Sequence, residues 1–270
     1  MYERKAIEDN EPWLGEMEPF RISDNIYFVG TFQESCHLID TGDGYVLIDS
    51  GNIFTLHMVI DHIYRLGMDP RHIQYAFYTH YHEDHTGGAN ALKHLAGCKT
   101  IISEADRQNA FDACGFEADM TVRDGDTLTV GNTTFRFIYT PGHTVGVMSV
   151  VFNTTLDGKP YTAGMFGGAG PNSLKKWHRS YYPDCLSDYL NSCDRLLKEK
   201  VDIFLGNHCW NNNTEGKAKI LKETGENQFL DPNEWVKFLH FCKERAMKID
   251  QNERSHKNEK NYHLRSTHGQ

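Results

Sequence analysis

Thr79-His80-Tyr81-His82-Glu83-Asp84-His85-Thr86-Gly87-Gly88 sets three imidazoles and an aspartate within six residues. Ahead of it, Ile73-Gln74-Tyr75-Ala76-Phe77-Tyr78 is an apolar run that reads as a buried strand. Behind it, Ala89-Asn90-Ala91-Leu92-Lys93-His94-Leu95 reads as a helix. In α/β proteins a strand end opening into a helix is where chemistry gathers. His80 and His82 stand two apart, so a continued strand alternation aims both rings the same way. Asp84 and His85 then turn into the same space as a second pair. Imidazole together with carboxylate suits zinc, iron or manganese rather than calcium. The stretch predicts a metal site; the plainer alternative is a polar loop whose histidines cap backbone groups.

Upstream, Ile26–Gly30, Cys36–Asp40 and Gly44–Asp49 are short apolar runs, with Gly42-Asp43-Gly44 as a hairpin signal and Asp49-Ser50-Gly51 ending the third. Apolar residues at Leu56, Val59, Ile60, Ile63 and Leu66 have helical spacing. Downstream, Lys99–Ile102 reads as a strand and Ser103–Asp106 as the opening of a helix with Ser103 as its cap. Residues 112–125 read as irregular. Thr127–Val130, Thr133–Tyr139, Val147–Phe152 and Pro160–Ala163 read as strands, Leu186–Lys198 as a helix, Val201–Leu205 as a buried strand and Glu234–Met247 as an amphipathic helix. Strands followed by helix recur in two halves, so two sheets sandwiched between helices are expected. The organisation expected is a loose polar arm over 1–18, a single α/β domain over 19–250 and a polar, frayed tail over 251–270.

Length and composition narrow the function classes. A chain of 270 residues with 39% hydrophobic and 12% aromatic residues can build a real core, which excludes global disorder. Its formal net charge of −9 and lack of a long basic run argue against nucleic acid as a partner. No apolar run approaches a membrane span. Met1–Asn10 is charged without an apolar centre, so no signal peptide is read there. Seven cysteines without CxxC spacing cannot form a complete disulfide framework. The expectation is a reduced, cytoplasmic protein with a small-molecule substrate, periplasmic or secreted if a leader precedes this sequence. Oligomeric state is left open.

Two more histidines complete the metal donors. Thr140-Pro141-Gly142-His143 follows a strand, and Pro-Gly presents His143 on a rigid turn. His80 and His82 alone leave a zinc site one protein ligand short of the usual three. His143 fills that place; alone, it would read as a capping residue. Leu205-Gly206-Asn207-His208 again ends an apolar strand, and His208 is the best remaining partner for Asp84 and His85. His178 and His37 are weaker candidates, one in a polar loop and the other within a strand.

With these motifs in hand, the sequence resembles the metallo-β-lactamase fold superfamily. The His80-x-His82-x-Asp84-His85 signature, Asp49-Ser50-Gly51 ahead of it, Thr140-Pro141-Gly142-His143 and Gly206-Asn207-His208 fall in the family's order and spacing, covering the chain from about Pro19 to Met247. The resemblance implies an αββα four-layer sandwich with metals at the sheet edges. Most hydrolases of the superfamily carry an aspartate bridging both metals after a later strand. Here that place reads Tyr161-Thr162-Ala163-Gly164-Met165-Phe166-Gly167-Gly168, with neither carboxylate nor cysteine. The pattern left is similar to the third subclass of zinc β-lactamases, with His/His/His for one metal and Asp/His/His for the other. The serines that hold the antibiotic carboxylate in that subclass are not recognisable from Gly164 to Pro171.

The function implied is a binuclear zinc hydrolase, β-lactamase-like, that opens a cyclic amide by attack of a zinc-bound hydroxide. Two zincs per chain are expected, the first on His80, His82 and His143 and the second on Asp84, His85 and His208. Asp84 would also orient or accept the nucleophile's proton. Asp49 either hydrogen-bonds a ligand histidine and sets its tautomer or is a plain turn residue. Substrate-binding residues are not identified. Tyr81 and Glu83 lie between ligands. Trp177, His178, Arg179, Tyr181 and Tyr182 form an aromatic and basic loop, in which Arg179, Lys175 and Lys176 could receive a substrate carboxylate or simply face solvent. The competing function is hydrolysis of another ester, lactone or thioester, since the fold alone does not choose. A redox or metal-binding module is a third reading.

Overall fold

The computed structural model describes residues 11–175 and 177–266. The start of the expected arm (1–10), Lys176 and the end of the expected tail (267–270) lie outside the described residues. Two sheets form the centre. The seven-stranded sheet runs β1 (Phe20–Arg21), β2 (Ile26–Phe28), β3 (His37–Asp40), β4 (Tyr45–Ile48), β5 (Ile73–Phe77), β6 (Lys99–Ser103) and β7 (Met120–Val122), with neighbours in chain order. It is antiparallel as far as β4 and parallel from β4 to β7. The five-stranded sheet contains β8 (Thr127–Val130), β9 (Thr133–Tyr139), β10 (Met148–Leu156), β11 (Lys159–Met165) and β12 (Ile203–Leu205). Among the described residues its only parallel pair is β11 with β12.

Strand periodicity explains the layering. In β4 and β5, Val46, Ile48 and Phe77 turn toward the second sheet, while Leu47 and Ala76 turn away from it. Phe135 and Phe137 of β9 meet them from the other side, and the rings of Phe77 and Phe137 are centred 4.8 Å apart. Each buried ring of this kind contributes roughly 1.5–3 kcal/mol. Outside the first sheet, α1 (Leu56–Arg65), α3 (Ala89–Ala96) and α4 (Arg107–Cys114) bury Leu56, Val59, Ile63, Ala89, Leu92 and Ala110. Outside the second sheet, α5 (Cys185–Leu196) and α7 (Glu234–Ser266) bury Tyr189, Cys193, Trp235, Leu239, Cys242 and Ala246. The order of layers is helices, sheet, sheet, helices, the sandwich expected. A one-turn helix, α2 (Glu83–Thr86), lies inside the metal motif, and α6 (Thr214–Thr224) follows the last histidine.

The structure differs from the sequence expectations in three places. Residues 112–125 are irregular only in part: α4 continues to Cys114, and Met120–Val122 form β7, which pairs with β6 in parallel, while 115–119 and 123–125 carry neither helix nor strand. Three residues are too few to show a period, and β7 exists because β6 offers it a ladder. Beyond Gln251, α7 continues as helix to Ser266. Its Lys, Glu and Arg content, free of Gly and Pro, supports helix. The helix over Thr214–Thr224 was absent from the sequence reading; Gly216 and a weak apolar stripe conceal it. No helix among the described residues is long and apolar enough to cross a membrane.

Candidate metal centre

The strand leading into the motif ends because a side chain takes over from the ladder. The Thr79 amide donates to Asp49 Oδ1 at 2.8 Å, and the Thr79 carbonyl accepts the Met148 amide of the second sheet at 2.8 Å. The seam between the two sheets therefore lies one residue before His80. His82 sits extended at the N-cap of α2, and its carbonyl accepts from His85 and Thr86 at 2.9 Å each. This turn, rather than a continued strand, brings His80, His82, Asp84 and His85 to one place. His143 follows β9. A Cβ on Gly142, whose φ is +135°, would come within 2.5 Å of Tyr189 Cα, so that turn requires glycine and presses His143 inward from α5. His208 follows β12, with its amide bonded to Asn211 Oδ1 at 3.1 Å.

His80 Nε2 and His143 Nε2 lie 3.1 and 3.0 Å from His82 Nδ1. His80, His82 and His143 form one group whose donor atoms all lie within 4.8 Å of one another, and His80, Asp84 and His85 form another. Asp84 Oδ2 is 3.4 Å from His85 Nε2 and 3.8 Å from His208 Nε2. The two donor sets adjoin.

Partners behind the rings fix which nitrogen faces the centre. His143 Nδ1 lies 2.7 Å from the Gly170 carbonyl and His208 Nδ1 2.5 Å from the Gln33 carbonyl. A carbonyl only accepts, so both Nδ1 atoms are protonated and both Nε2 atoms present lone pairs inward. His85 Nδ1 donates to Asp49 Oδ2 at 2.8 Å. The single hydroxyl proton of Thr79 also goes to that oxygen, at 2.9 Å. The same hydroxyl must therefore accept from His80 Nδ1 at 3.2 Å, which leaves His80 Nε2 bare. One proton on His82 Nδ1 could satisfy only one of the two lone pairs at 3 Å. His85 Nε2 is buried with no hydrogen-bond partner among the described residues. Convergent lone pairs with an orphaned nitrogen are what a bound cation would satisfy, and the donor set fits a divalent transition metal.

The electrostatics agree. Burial pushes the His80 and His143 imidazoles well below their usual range and His82 to about 4. Burial also lowers His208, with the His85 charge adding to it. Burial would raise Asp84, but the surrounding imidazoles, His85 foremost, outweigh it and hold the carboxyl at about 2. His85 goes the other way. Burial opposes its charge, yet Asp84 and Asp49 lift it to about 9, so a proton there answers the two carboxylates until a cation displaces it.

Other candidates fall outside the donor sets. His37 is sealed in β3, with Nδ1 unpartnered among the described residues and burial lowering it to about 3. Tyr81 is half-buried and its amide bonds Asp106; Glu83 is exposed. Arg179 is turned away from any ligand: it donates to Asp250 Oδ1 at 2.7 Å and to the Leu174 carbonyl at 2.9 Å. Lys175 is exposed outside the cleft wall, and Lys176 lies outside the described residues. The segment that would supply a bridging carboxylate has no room for one. A Cβ on Gly167 would meet the Met148 carbonyl at 2.2 Å, and one on Gly168 would meet His143 Cβ at 2.9 Å.

Sequence reasoning missed three residues. Asp106 Oδ2 accepts from the Tyr81 amide at 3.2 Å and the Thr144 hydroxyl at 2.6 Å, tying together both histidine-bearing loops. Its signal was position, just past β6, beside the end of β5. Ser173 lies 3.3 Å from His143 Nδ1, just beyond the segment searched for serines. Arg245 of α7 lines the cleft of about 520 Å³ over the metal donors, together with Trp177, His178, Trp210, Asn172 and Asn211.

Comparison with known proteins agrees with this geometry. Residues 29–154 match the Metallo-beta-lactamase superfamily model. A metallo-beta-lactamase HARLDQ-motif mutant from Cronobacter sakazakii superposes with a TM-score of 0.80 at 28% identity, covering 89% of this chain and 99% of that one. A subclass B3 metallo-beta-lactamase of Bradyrhizobium japonicum gives 0.80 at 25% identity, covering 95% and 100%. Among curated relatives, a hydroxyacylglutathione hydrolase from a Bradyrhizobium species is 40% identical over 75 residues, a stretch that spans 28% of each chain. Residues 29–154 thus match the metallo-beta-lactamase superfamily, and the fold around the donor cluster is that of solved metallo-beta-lactamases.

Proposed function

We propose that this chain is a two-metal hydrolase that opens a cyclic amide of the β-lactam kind, with zinc at both positions. The observation that carries the reading is the pair of adjoining donor sets at the floor of one cleft, His80, His82 and His143 beside Asp84, His85 and His208, with no cysteine and no bridging carboxylate. The structural likeness to metallo-beta-lactamases, one of them a subclass B3 enzyme, over nearly their whole length supports it. When bound, two such cations would bring a water's pKa toward neutrality and offset charge on the leaving nitrogen. The chain's own residues do the rest. Asp84, ionised far below neutral pH, orients the proton of a water entering the cleft. Asp49, Gln33, Gly170 and Thr79 hold four imidazoles in the tautomers that face inward. Burial of His80, His85 and His143 shields that side of the site from bulk water, while His82, Asp84 and His208 open to the cleft.

Thioester hydrolysis is the second reading, favoured by the hydroxyacylglutathione hydrolases among the curated relatives. One experiment separates the two: metal content of the purified chain, with turnover of nitrocefin and of S-lactoylglutathione before and after chelation. Two zincs with chelator-sensitive nitrocefin hydrolysis are expected, and His143→Ala should lose the hydrolysis and one zinc. Turnover of the thioester alone would replace the lactamase reading, and full activity in His143→Ala would sink the two-metal mechanism.

A further inference from the structure

We propose that Arg245 is the anion-binding residue of the metal cleft, so that the substrate carries a carboxylate or comparable oxyanion remote from the bond that is cut. This deepens the hydrolase reading and rests on it. Arg245 stands on α7 one residue before Ala246, and the buried side chains of Leu239, Cys242 and Ala246 lock that helix against the second sheet. Arg245 lines the same cleft as His82, Asp84, His143 and His208.

Seven other arginines are committed to carboxylates: Arg65 to Glu16, Arg71 to Asp69, Arg107 to Glu117, Arg123 to Glu104, Arg136 to Glu199, Arg179 to Asp250 and Arg195 to Asp124. Arg245 makes no hydrogen bond or ion pair among the described residues, although the protein has a net charge of −9 and acids to spare. Among the described residues Asp84 is the single carboxylate in the cleft wall, and it belongs to the metal donors. An unpaired planar guanidinium held over a cleft suits a bidentate oxyanion.

The rest of the wall completes a binding surface. Trp177 and Trp210 are 64% and 53% exposed, and large apolar rings left open at a cleft mark where a ligand's apolar body covers them. Trp210 is held by stacking on His208, with centroids 4.4 Å apart and planes 7° from parallel. The ligand read from this wall has a metal-seeking group at one end, an apolar body and an anion at the other.

The test uses the zinc-loaded full chain. ω-Mercaptocarboxylates with two to five methylenes are titrated against their terminal amides, with binding read by quenching of tryptophan fluorescence. The thiol engages the metals, and the series spans the distance to Arg245. At the best length the acid should bind about tenfold more tightly than its amide. Arg245→Gln should bring the pair to within about twofold while leaving amide affinity unchanged. Arg245→Lys should keep part of the preference, and Lys175→Gln, exposed outside the cleft, should keep all of it. Equal affinity for acid and amide at every length, or a preference that survives Arg245→Gln, overturns the assignment. A chain that shows the preference yet cleaves no lactam, ester or thioester overturns the hydrolase reading alone.

Discussion

Asp49 Oδ2 lies 2.8 Å from His85 Nδ1, with both side chains 1% exposed. The same carboxylate takes the amide and the hydroxyl of Thr79, so one buried group both ends β5 and sets the imidazole of the second donor set. Asp49 has φ +59°, a conformation that asparagine also tolerates, so Asp49→Asn should fold. An amide NH2 in place of Oδ2 cannot accept from His85. The imidazole must then carry its proton on Nε2, where the metal position needs a lone pair. Affinity at the second position should fall roughly 10–100-fold. Stepwise competition with a chromophoric chelator, alongside circular dichroism, checks it; unchanged affinity in a folded variant would refute the coupling.

His37 supplies a pH dependence unconnected with the metals. Its ring is buried edge-on against Phe28, 5.8 Å between centroids, and burial lowers it to about 3 from an ordinary 6.5. The folded chain keeps this imidazole neutral while the unfolded chain protonates it below about 6.5. Its contribution to stability is therefore complete above 6.5 and is lost as pH falls toward 3, by about 1.4 kcal/mol per unit. His37→Leu removes the orphaned nitrogen and the titration together. Urea unfolding of metal-free chains at pH 7 and pH 5 should show the variant losing less stability than wild type over that interval. Equal losses would mean that His37 finds a proton in the folded state.

What was legible in the sequence were the features written locally. The six-residue motif holds four of the six metal donors on one turn, and His143 and His208 could be paired with it because β9 and β12 announce themselves as apolar runs. The core followed from strand alternation, as at Phe135 and Phe137. Interactions between distant segments were not legible. β7 has too few residues to show a period and depends on β6. Asp106 has no motif around it. Its role appears once parallel pairing sets the end of β6 beside the end of β5. Arg179 and Arg245 are equivalent in composition. Only the packing of α7 turns one toward Asp250 and leaves the other over the cleft.

Asp106 gives the last expectation. Its Oδ2 accepts from the amide of Tyr81, which lies between His80 and His82, and from the hydroxyl of Thr144, which follows His143. All three imidazoles of the first donor set are thus braced by one buried carboxylate that touches none of them. The fit is close: a Cβ on Gly146 would come within 2.4 Å of Asp106 Cγ, so no other group can take its place by a small shift. Asp106→Ala strands two buried donors, which costs about 1–3 kcal/mol of stability. It also frees the two loops to drift apart. The first metal position should then weaken by about tenfold while the second, held by Asp49 and Gln33, changes little. Asp106→Asn retains one acceptor and should restore part of the loss. Measuring the two metal affinities separately decides the point: equal weakening of both positions would make Asp106 a general prop of the fold, and weakening of the first alone makes it the brace of that site.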